Sequence, residues 1–377
     1  DLVNFLDATR SRGALHKTAT IRPGIFRFRL CAPDSDDAVP SGSTTTKGFA
    51  MIKAFACANG QLNRLSETGS ADALREAVWI DLLNPAPDEI ERVQKATGLE
   101  VPSEADVSEI ETSSRLANRD GALYLSMPLI QFAEGGTRGV SIGLVLNSER
   151  LMSVRFAPSR IFDTFYDHIP RGSTVHKGAP HIFVGLLETI VDRQADVLEQ
   201  VRSDLDAISH AIFAMGVNQE GGRKAEDATL RRTLGQLGHI GHLISHVRDT
   251  QVGAARIVPY VEATAAEWMP KDLLPRLLTL RQDIASVSDF DTHLNDKLQF
   301  LLDATLGFIN IAQNNVMKVM AIASVVGIPP VLIAGIYGMN FKNIPEYDWA
   351  WGYEWGWGLI ILTTLIPLGV FRWRKWI

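Results

Sequence analysis

The chain has 377 residues, 46% hydrophobic and 21% charged, with a net charge of −6 and two cysteines, Cys31 and Cys57. That length allows two or three domains, two cysteines exclude a disulfide framework, and the acidic balance excludes a generally basic nucleic-acid binder. The averages hide a split: residues 1–318 sum to −7 and residues 319–377 to +1, and the last sixth of the chain carries two long apolar runs.

In chain order, residues 1–47 are weakly patterned, with a polar stretch at 34–47 that reads as a flexible segment. No hydrophobic opening marks a cleaved secretory signal. Residues 48–165 have the texture of an α/β domain. Strands are expected at Met51–Ala58, Val78–Leu83, Ala122–Phe132, Val140–Asn147 and Leu151–Phe156, where apolar residues alternate or run together. Asn84-Pro85-Ala86-Pro87-Asp88 leads into a helix through Thr97, with Asp88 and Glu91 as cap and box.

Helical spacing takes over in a cytoplasmic region at 166–260. Val184, Leu187, Val191, Leu198, Val201 and Leu205 predict a helix over Pro180–Met215, broken at Gly216–Gly222 and resumed over Lys224–Gln251. A stalk helix, 261–318, is expected to run from about Lys271 into the first apolar run, roughly 65 residues or about 100 Å at 1.5 Å per residue. A helix of that length needs neighbours, which parallel copies in an oligomer provide.

Val319–Met339 is 21 residues without a charge, enough to cross the ~30 Å of a bilayer core. Trp355–Phe371 is a second span of 17 residues, and six of the eight tryptophans fall between Trp349 and Trp376. Aromatic rings gather at the membrane–water boundary because they are amphipathic. Lys318 precedes the first span and a basic tail, 372–377, follows the second, while the connecting loop, 340–354, holds Glu346, Asp348 and Glu354 against Lys342. The positive-inside rule therefore puts the loop outside and both termini in the cytoplasm.

One hairpin encloses nothing, so a conduit requires several chains around an axis. Small residues in the first span (Ala321, Ala323, Ser324, Gly327, Ala334, Gly335, Gly338) permit close approach of helices. Asp303, Asn314, Met317, Met320, Ser324, Ile328 and Val331 share one face of the stalk and first span, either as a coiled-coil seam or as a pore lining. Neither span holds Asp or Glu, so a dehydrated divalent ion has no charged ligand there, and a hydrated one is the consistent cargo. Asn340, at the external end, is placed to bind it through water, Asp303 to supply acid at the cytoplasmic mouth, and Glu346 and Asp348 to concentrate cations outside. Voltage is the expected drive, about 2.3 kcal/mol per charge per 100 mV and twice that for a divalent ion. No phosphate-loop motif occurs.

Tyr337-Gly338-Met339-Asn340, followed by Pro345-Glu346, a tryptophan-rich loop and a basic tail, resembles the CorA family of magnesium channels. Leu301-Leu302-Asp303 and Asn314-Asn315-Val316-Met317-Lys318 are similar to that family's stalk, and Trp79-Ile80-Asp81-Leu82 and Asp88-Glu89-Ile90 to its α/β domain. The resemblance implies a funnel-shaped homopentamer in the cell (inner) membrane with a cytoplasmic α/β domain, a long stalk helix and two transmembrane helices per chain. It implies Mg²⁺ as substrate, with Co²⁺ and Ni²⁺ passing less well, and as regulator bound between subunits. Partners are then copies of the chain, divalent ions and the bilayer, with no nucleic acid, no organic cofactor and no enzymatic activity. Gly338, Met339 and Asn340 match the filter, Asn314, Met317 and Met320 the gate, and Asp303 the inner-mouth acid. Ile328 and Val331 depart from the methionine and hydroxyl residue usual there. Asp106 matches one regulatory acid, with Asp283 or Asp289 as stalk partner, while Ala105 replaces the acid beside it.

His239, His242 and His246 lie on one helix face at spacing that can hold Zn²⁺. They sustain a rival reading, a zinc transporter of the related ZntB-like branch, against which Met339 argues. A third reading is a membrane-tethered sensor or scaffold without transport. Gly235-x-x-Gly238-x-x-Gly241 lacks dinucleotide-site spacing and points to close helix packing.

Overall fold

The strands expected from apolar alternation form, and they pair into one mixed seven-stranded sheet in the order β2-β1-β3-β7-β6-β5-β4. The computed structural model describes residues 51–58, 61–65, 70–109, 111, 115–133, 136–168, 177–215, 223–340, 345–374 and 376, all within the unit Gly48–Ile377. The flexible segment expected at 1–47 and the break at 216–222 lie outside the described residues. The strands are β1 (Met51–Ala58), β2 (Gln61–Arg64), β3 (Trp79–Leu83), β4 (Leu116–Arg119), β5 (Ala122–Ala133), β6 (Gly136–Leu146) and β7 (Leu151–Arg155). All neighbours run antiparallel except β3 and β7, which pair in parallel from Trp79↔Leu151 to Leu83↔Arg155.

Alternation along the strands divides the side chains between two cores. Ile52, Ala54, Ile80, Leu82, Val145, Met152 and Val154 face one side, where α1 (Ala71–Glu76), α2 (Pro87–Thr97) and α3 (Glu104–Ser108) cover them. Phe55, Trp79, Leu123, Leu125, Met127, Ile142 and Leu144 face the other, against α4 (Arg160–His168), α5 (Ala179–Met215), α6 (Arg223–Thr264) and the lower part of α7 (Leu274–Tyr337). Gly253 of α6 permits that packing: a Cβ there would meet Met127 Cβ at 2.8 Å. The α2 cap sits earlier than the sequence suggested. Pro87 opens the helix, and the Glu89 carboxylate, three residues on, accepts from the Ala86 N–H at 2.9 Å.

Between the sheet and α4 lies a buried polar knot. The Asp81 carboxylate is 1% exposed; it accepts from Ser153 Oγ at 2.6 Å, Arg155 Nη2 at 2.7 Å and the Tyr166 hydroxyl at 2.5 Å. Trp79 Nε1 donates to Ser153 Oγ at 3.1 Å, so the ring carries the knot into the aromatic stack of Phe55, Trp79 and Tyr166. Burial, then the Asp81 charge, pushes the Tyr166 phenol well above its ordinary range.

Below the sheet, α5, α6 and α7 pack as three long helices around Val201, Leu205, Leu237, Ile244, Leu294 and Leu301. Ion pairs lace α5 to α7: Arg276 Nη2 to Glu188 at 2.6 Å and Lys297 Nζ to Asp206 at 2.5 Å. The connection between α6 and α7 falls at 265–273, and Pro275 sits in the first turn of α7, so the expected stalk boundary at 261 lies inside α6. Helix α7 is 64 residues long, ~96 Å, and unbroken through Pro329 and Pro330. A 3₁₀ turn at Pro345–Asp348 leads to α8 (Gly352–Trp373), whose 22 residues span ~33 Å and so cross the bilayer core that the 17-residue apolar run alone would not.

Candidate ion-conduction site

Helix α7 changes its environment part-way along. Leu277, Leu280, Ile284, Asp291, Leu294, Leu298, Leu301 and Thr305 are its buried residues, spaced by three, four or seven, and all precede the span. From there to Tyr337 no residue of the helix is buried. No residue in the apolar windows of α7 and α8 is buried inside the chain, although α8 packs back along the end of α7. Two apolar helices left uncovered this way are covered by lipid or by other copies. The tryptophans of the loop and tail are outward-facing, Trp351 at 74% and Trp373 at 82% exposed.

The stripe from Asp303 to Val331 falls within an arc of about 120° at 100° per residue. Every member is exposed in the single chain, Met317 and Met320 at 66% and 63% and Val331 at 71%. Ser324 Oγ donates to Met320 O at 2.9 Å, which leaves its lone pairs outward. Pro329 and Pro330 lack the N–H groups that would bond the carbonyls of Val325 and Val326, so an otherwise apolar span carries two backbone oxygens without their helical donors.

The helix ends at Tyr337. Gly338 is its C-cap in right-handed geometry (φ −83°), with its N–H bonded to Ala334 O at 3.0 Å. A Cβ on Gly338 would lie 3.1 Å from that same oxygen. Met339 N bonds to Ile336 O at 3.2 Å, and Asn340 follows, exposed and beyond the cap. Asn340 therefore does not end the helix by a left-handed turn; it projects from a finished helix. The negative end of the helix dipole, equivalent to about half a charge, lies at this terminus and favours cations. Residues 341–344 lie outside the described residues; Asp348 is exposed and Glu346 half-buried in the 3₁₀ turn. Gly352 had no place in the sequence reading, yet a Cβ there would collide with Glu346 O. That contact ties the acidic turn to the start of α8, and only a glycine permits it.

Asp106 is exposed on α3, where Oδ2 accepts from Ser103 N at 2.9 Å and Ser103 Oγ at 2.7 Å. Those bonds, the hydroxyl's first, hold its carboxyl below the usual range. Asp283 and Asp289 are exposed on α7, with Asp283 close enough to Asp192 of α5 to help raise that carboxyl, behind burial, Glu188 and Asp196. Helix α3 packs on the sheet face marked by Gly143, opposite to α5–α7, so one chain does not bring Asp106 to Asp283 or Asp289.

His239, His242 and His246, expected to share one face, all lie on α6. Among the described residues no group of three His, Cys, Asp or Glu is gathered as a metal ligand set. The face of α6 bearing His239 and His246 is turned to the β5–β6 hairpin: Cβ positions on Gly136 and Gly139 would lie 4.0 and 3.4 Å from those rings. Of the Gly235, Gly238 and Gly241 series, the first two have open space around them, and Gly241 meets Leu298 at 3.4 Å. Close approach of α6 belongs to Gly253 instead.

Residues 75–374 match the family described as CorA-like Mg2+ transporter protein. The chain is 31% identical over 329 residues to the magnesium transport protein CorA of Escherichia coli K12, covering 87% of this chain and all of that one. It is 30% identical over the same length to that of Sodalis glossinidius. Its fold is similar to the complete CorA magnesium transporter of Methanocaldococcus jannaschii, with TM-score 0.68 and 17% identity over 87% of this chain and 99% of that one. It is also similar to full-length CmaX, with TM-score 0.63 and 18% identity over 87% and 98%. With a sheet domain, a helix that runs on into an apolar span, and a second apolar helix returning beside it, the chain belongs to the CorA family of Mg²⁺ transporters, membrane transport proteins rather than enzymes.

Proposed function

We propose that the chain carries hydrated Mg²⁺, and Co²⁺ or Ni²⁺ less well, inward across the cell (inner) membrane, driven by voltage through a pore shared by five copies. The observation that carries this reading is a finished helix whose stripe from Asp303 to Val331 is exposed and whose end presents Gly338-Met339-Asn340 to solvent. Placed around an axis, these stripes line a path of methionine, aliphatic and amide groups with no charged ligand inside the span. Such a lining suits an ion that keeps its water, because Mg²⁺ gives up water reluctantly. The amides of Asn340 then contact the hydration shell at the outer end, assisted by the converging negative helix ends. Glu346 and Asp348 raise the cation concentration outside, Asn314, Met317 and Met320 form the narrow gate, and Asp303 supplies acid at the cytoplasmic mouth. Asp106 of one copy with Asp283 or Asp289 of the next forms the regulatory Mg²⁺ site, and both termini are cytoplasmic.

The test is Mg²⁺ uptake into proteoliposomes loaded with a fluorescent indicator, at inside-negative voltage. Influx is expected for the intact chain, reduced at least tenfold in Asn340→Ala. Equal influx in both sinks the filter. Zn²⁺ influx that depends on a proton gradient, without Mg²⁺ influx, establishes the zinc-transporting rival. No flux of either ion from assembled oligomer leaves a tethered scaffold.

A further inference from the structure

A cavity of ≈ 50 Å³ opens where β5, the β7–α4 connection, α5 and α6 meet, far in sequence from every residue of the conduction stripe. That is room for roughly three or four waters, or for one group of four or five heavy atoms. Its walls are mainly apolar, with Ile130, Ile161 and Val197 among them. Two lining residues break that pattern. Ser159 is 5% exposed and Gln194 3% exposed, yet among the described residues Ser159 Oγ and Gln194 Nε2 have no hydrogen-bond partner. A buried polar atom left unpaired costs on the order of 1–3 kcal/mol, so native structures rarely leave two together without use. Gln131, also in the wall, is already committed: its amide donates to Pro158 O at 3.2 Å and accepts from Arg138 at 2.6 Å.

The charged residues that line the cavity are of one sign. Arg160 and Arg193 line the cavity and no carboxylate does. Arg193 lies over the Phe132 ring at 5.9 Å and reaches Asp196 only at 3.6 Å, with its side chain 39% exposed. An unpaired amide N–H, a hydroxyl and two guanidinium groups describe an acceptor-rich, negatively charged ligand. A bare inorganic oxyanion needs donors on every side, which the aliphatic walls do not provide. From this we infer a binding site for a small organic carboxylate of two or three carbons, its head toward Arg193 and Gln194 and its chain against Ile161 and Val197. Because α5 and α6 both pack on α7, an occupant would join the sheet to the helices that hold the stalk.

The experiment is saturation-transfer difference NMR on the full chain in detergent micelles, with sodium propionate as probe at constant ionic strength. The native chain is expected to show saturable transfer to the propionate methyl, competed by acetate and not by inorganic phosphate. Arg193→Gln is expected to weaken binding at least fivefold and Val197→Phe, which fills the cavity, to abolish it. Arg193→Lys retains binding within about threefold, and Arg202→Gln, two to three turns further along the same helix, leaves it unchanged. Should Val197→Phe fail to fold, the surface-accessible Arg193→Gln still decides. No saturable transfer in the native chain, equal binding in native and Arg193→Gln, loss in Arg202→Gln equal to that in Arg193→Gln, or equal competition by phosphate would each overturn the assignment.

Discussion

Single residues in this protein are tuned by whether their partners are buried with them. Asp81 and Arg155 are 1% and 3% exposed and face each other at 2.7 Å. Removing one leaves the other's charge without a partner in the core, a loss of about 3–5 kcal/mol in comparable buried pairs. Asp81→Ala is therefore expected to lower the thermal unfolding midpoint of the detergent-solubilised chain sharply, and the double variant Asp81→Leu, Arg155→Met to recover much of it. Asp291 on α7 behaves differently. Its Oδ2 accepts from Arg248 Nε at 2.8 Å and makes an ion-pair contact with Nη2 at 2.8 Å, while Oδ1 is buried without a hydrogen-bond partner among the described residues. Burial outweighs the guanidinium and raises the carboxyl pKa.

The sign of the resulting pH dependence follows. A carboxyl raised in the folded state binds its proton before the unfolded chain does, so its burdening of the fold is present at neutral pH and fades as pH falls through the raised value. Arg248→Ala removes the compensating charge. It is expected to lower the unfolding midpoint at pH 7.5 and to do so by less at pH 5, where Asp291 takes up its proton more readily. A pH-independent effect would show that Arg248 acts by packing alone.

At the scale of elements, glycines in one helix have opposite uses. Gly253 lets α6 lie on β5, and a Cβ there enters a 2.8 Å contact with Met127. Gly253→Ala is expected to destabilise by roughly 1–3 kcal/mol through overpacking. Gly235, with nothing within 4 Å, only loosens its helix, so Gly235→Ala is expected to stabilise by about 0.5–1 kcal/mol. Denaturation of the two variants side by side checks the contrast. Gly352 holds the acidic turn against α8, and Gly352→Ala is expected to displace Glu346 and reduce Mg²⁺ influx severalfold in the proteoliposome assay while the unfolding midpoint changes little. Unchanged influx would separate the turn from conduction.

These elements also show what local pattern can and cannot reveal. Strand β1 and the short apolar run of β3 were legible almost to the residue. The short edge strands β2 and β4, of four residues each, and α1, α3 and α4 were not. Four residues hold too few apolar positions to show a period, and their pairing is decided by the longer strands beside them. The α2 cap was misread because Asp88 is a stronger cap residue than Ala86, whereas Pro87 decides where the helix begins.

At the scale of the whole molecule, the stalk and span form one helix with a buried half and an uncovered half. The proposed pore predicts that the uncovered stripe faces its copies. Met317→Cys, at a position 66% exposed in the single chain, is expected to form a disulfide between copies under oxidation, and native mass spectrometry of the solubilised chain to give five copies. A Cys at Phe300, 57% exposed and stacked on Phe213 of its own chain, is the control expected to cross-link poorly.

The sequence by itself determined the two spans, the long helix, the Gly338-Met339-Asn340 end and the family resemblance, because each rests on short-range patterns: runs without charge, helical spacing, one contiguous motif. Only the tertiary structure decided the rest. It turned the face carrying His239 and His246 to the β5–β6 hairpin, placed Asp106 on the far side of the sheet from Asp283 and Asp289, and left Ser159 Oγ and Gln194 Nε2 without a hydrogen-bond partner among the described residues in the wall of a cavity. Those outcomes depend on which distant elements share a face, and sheet order and helix packing settle that through contacts that no local spacing encodes.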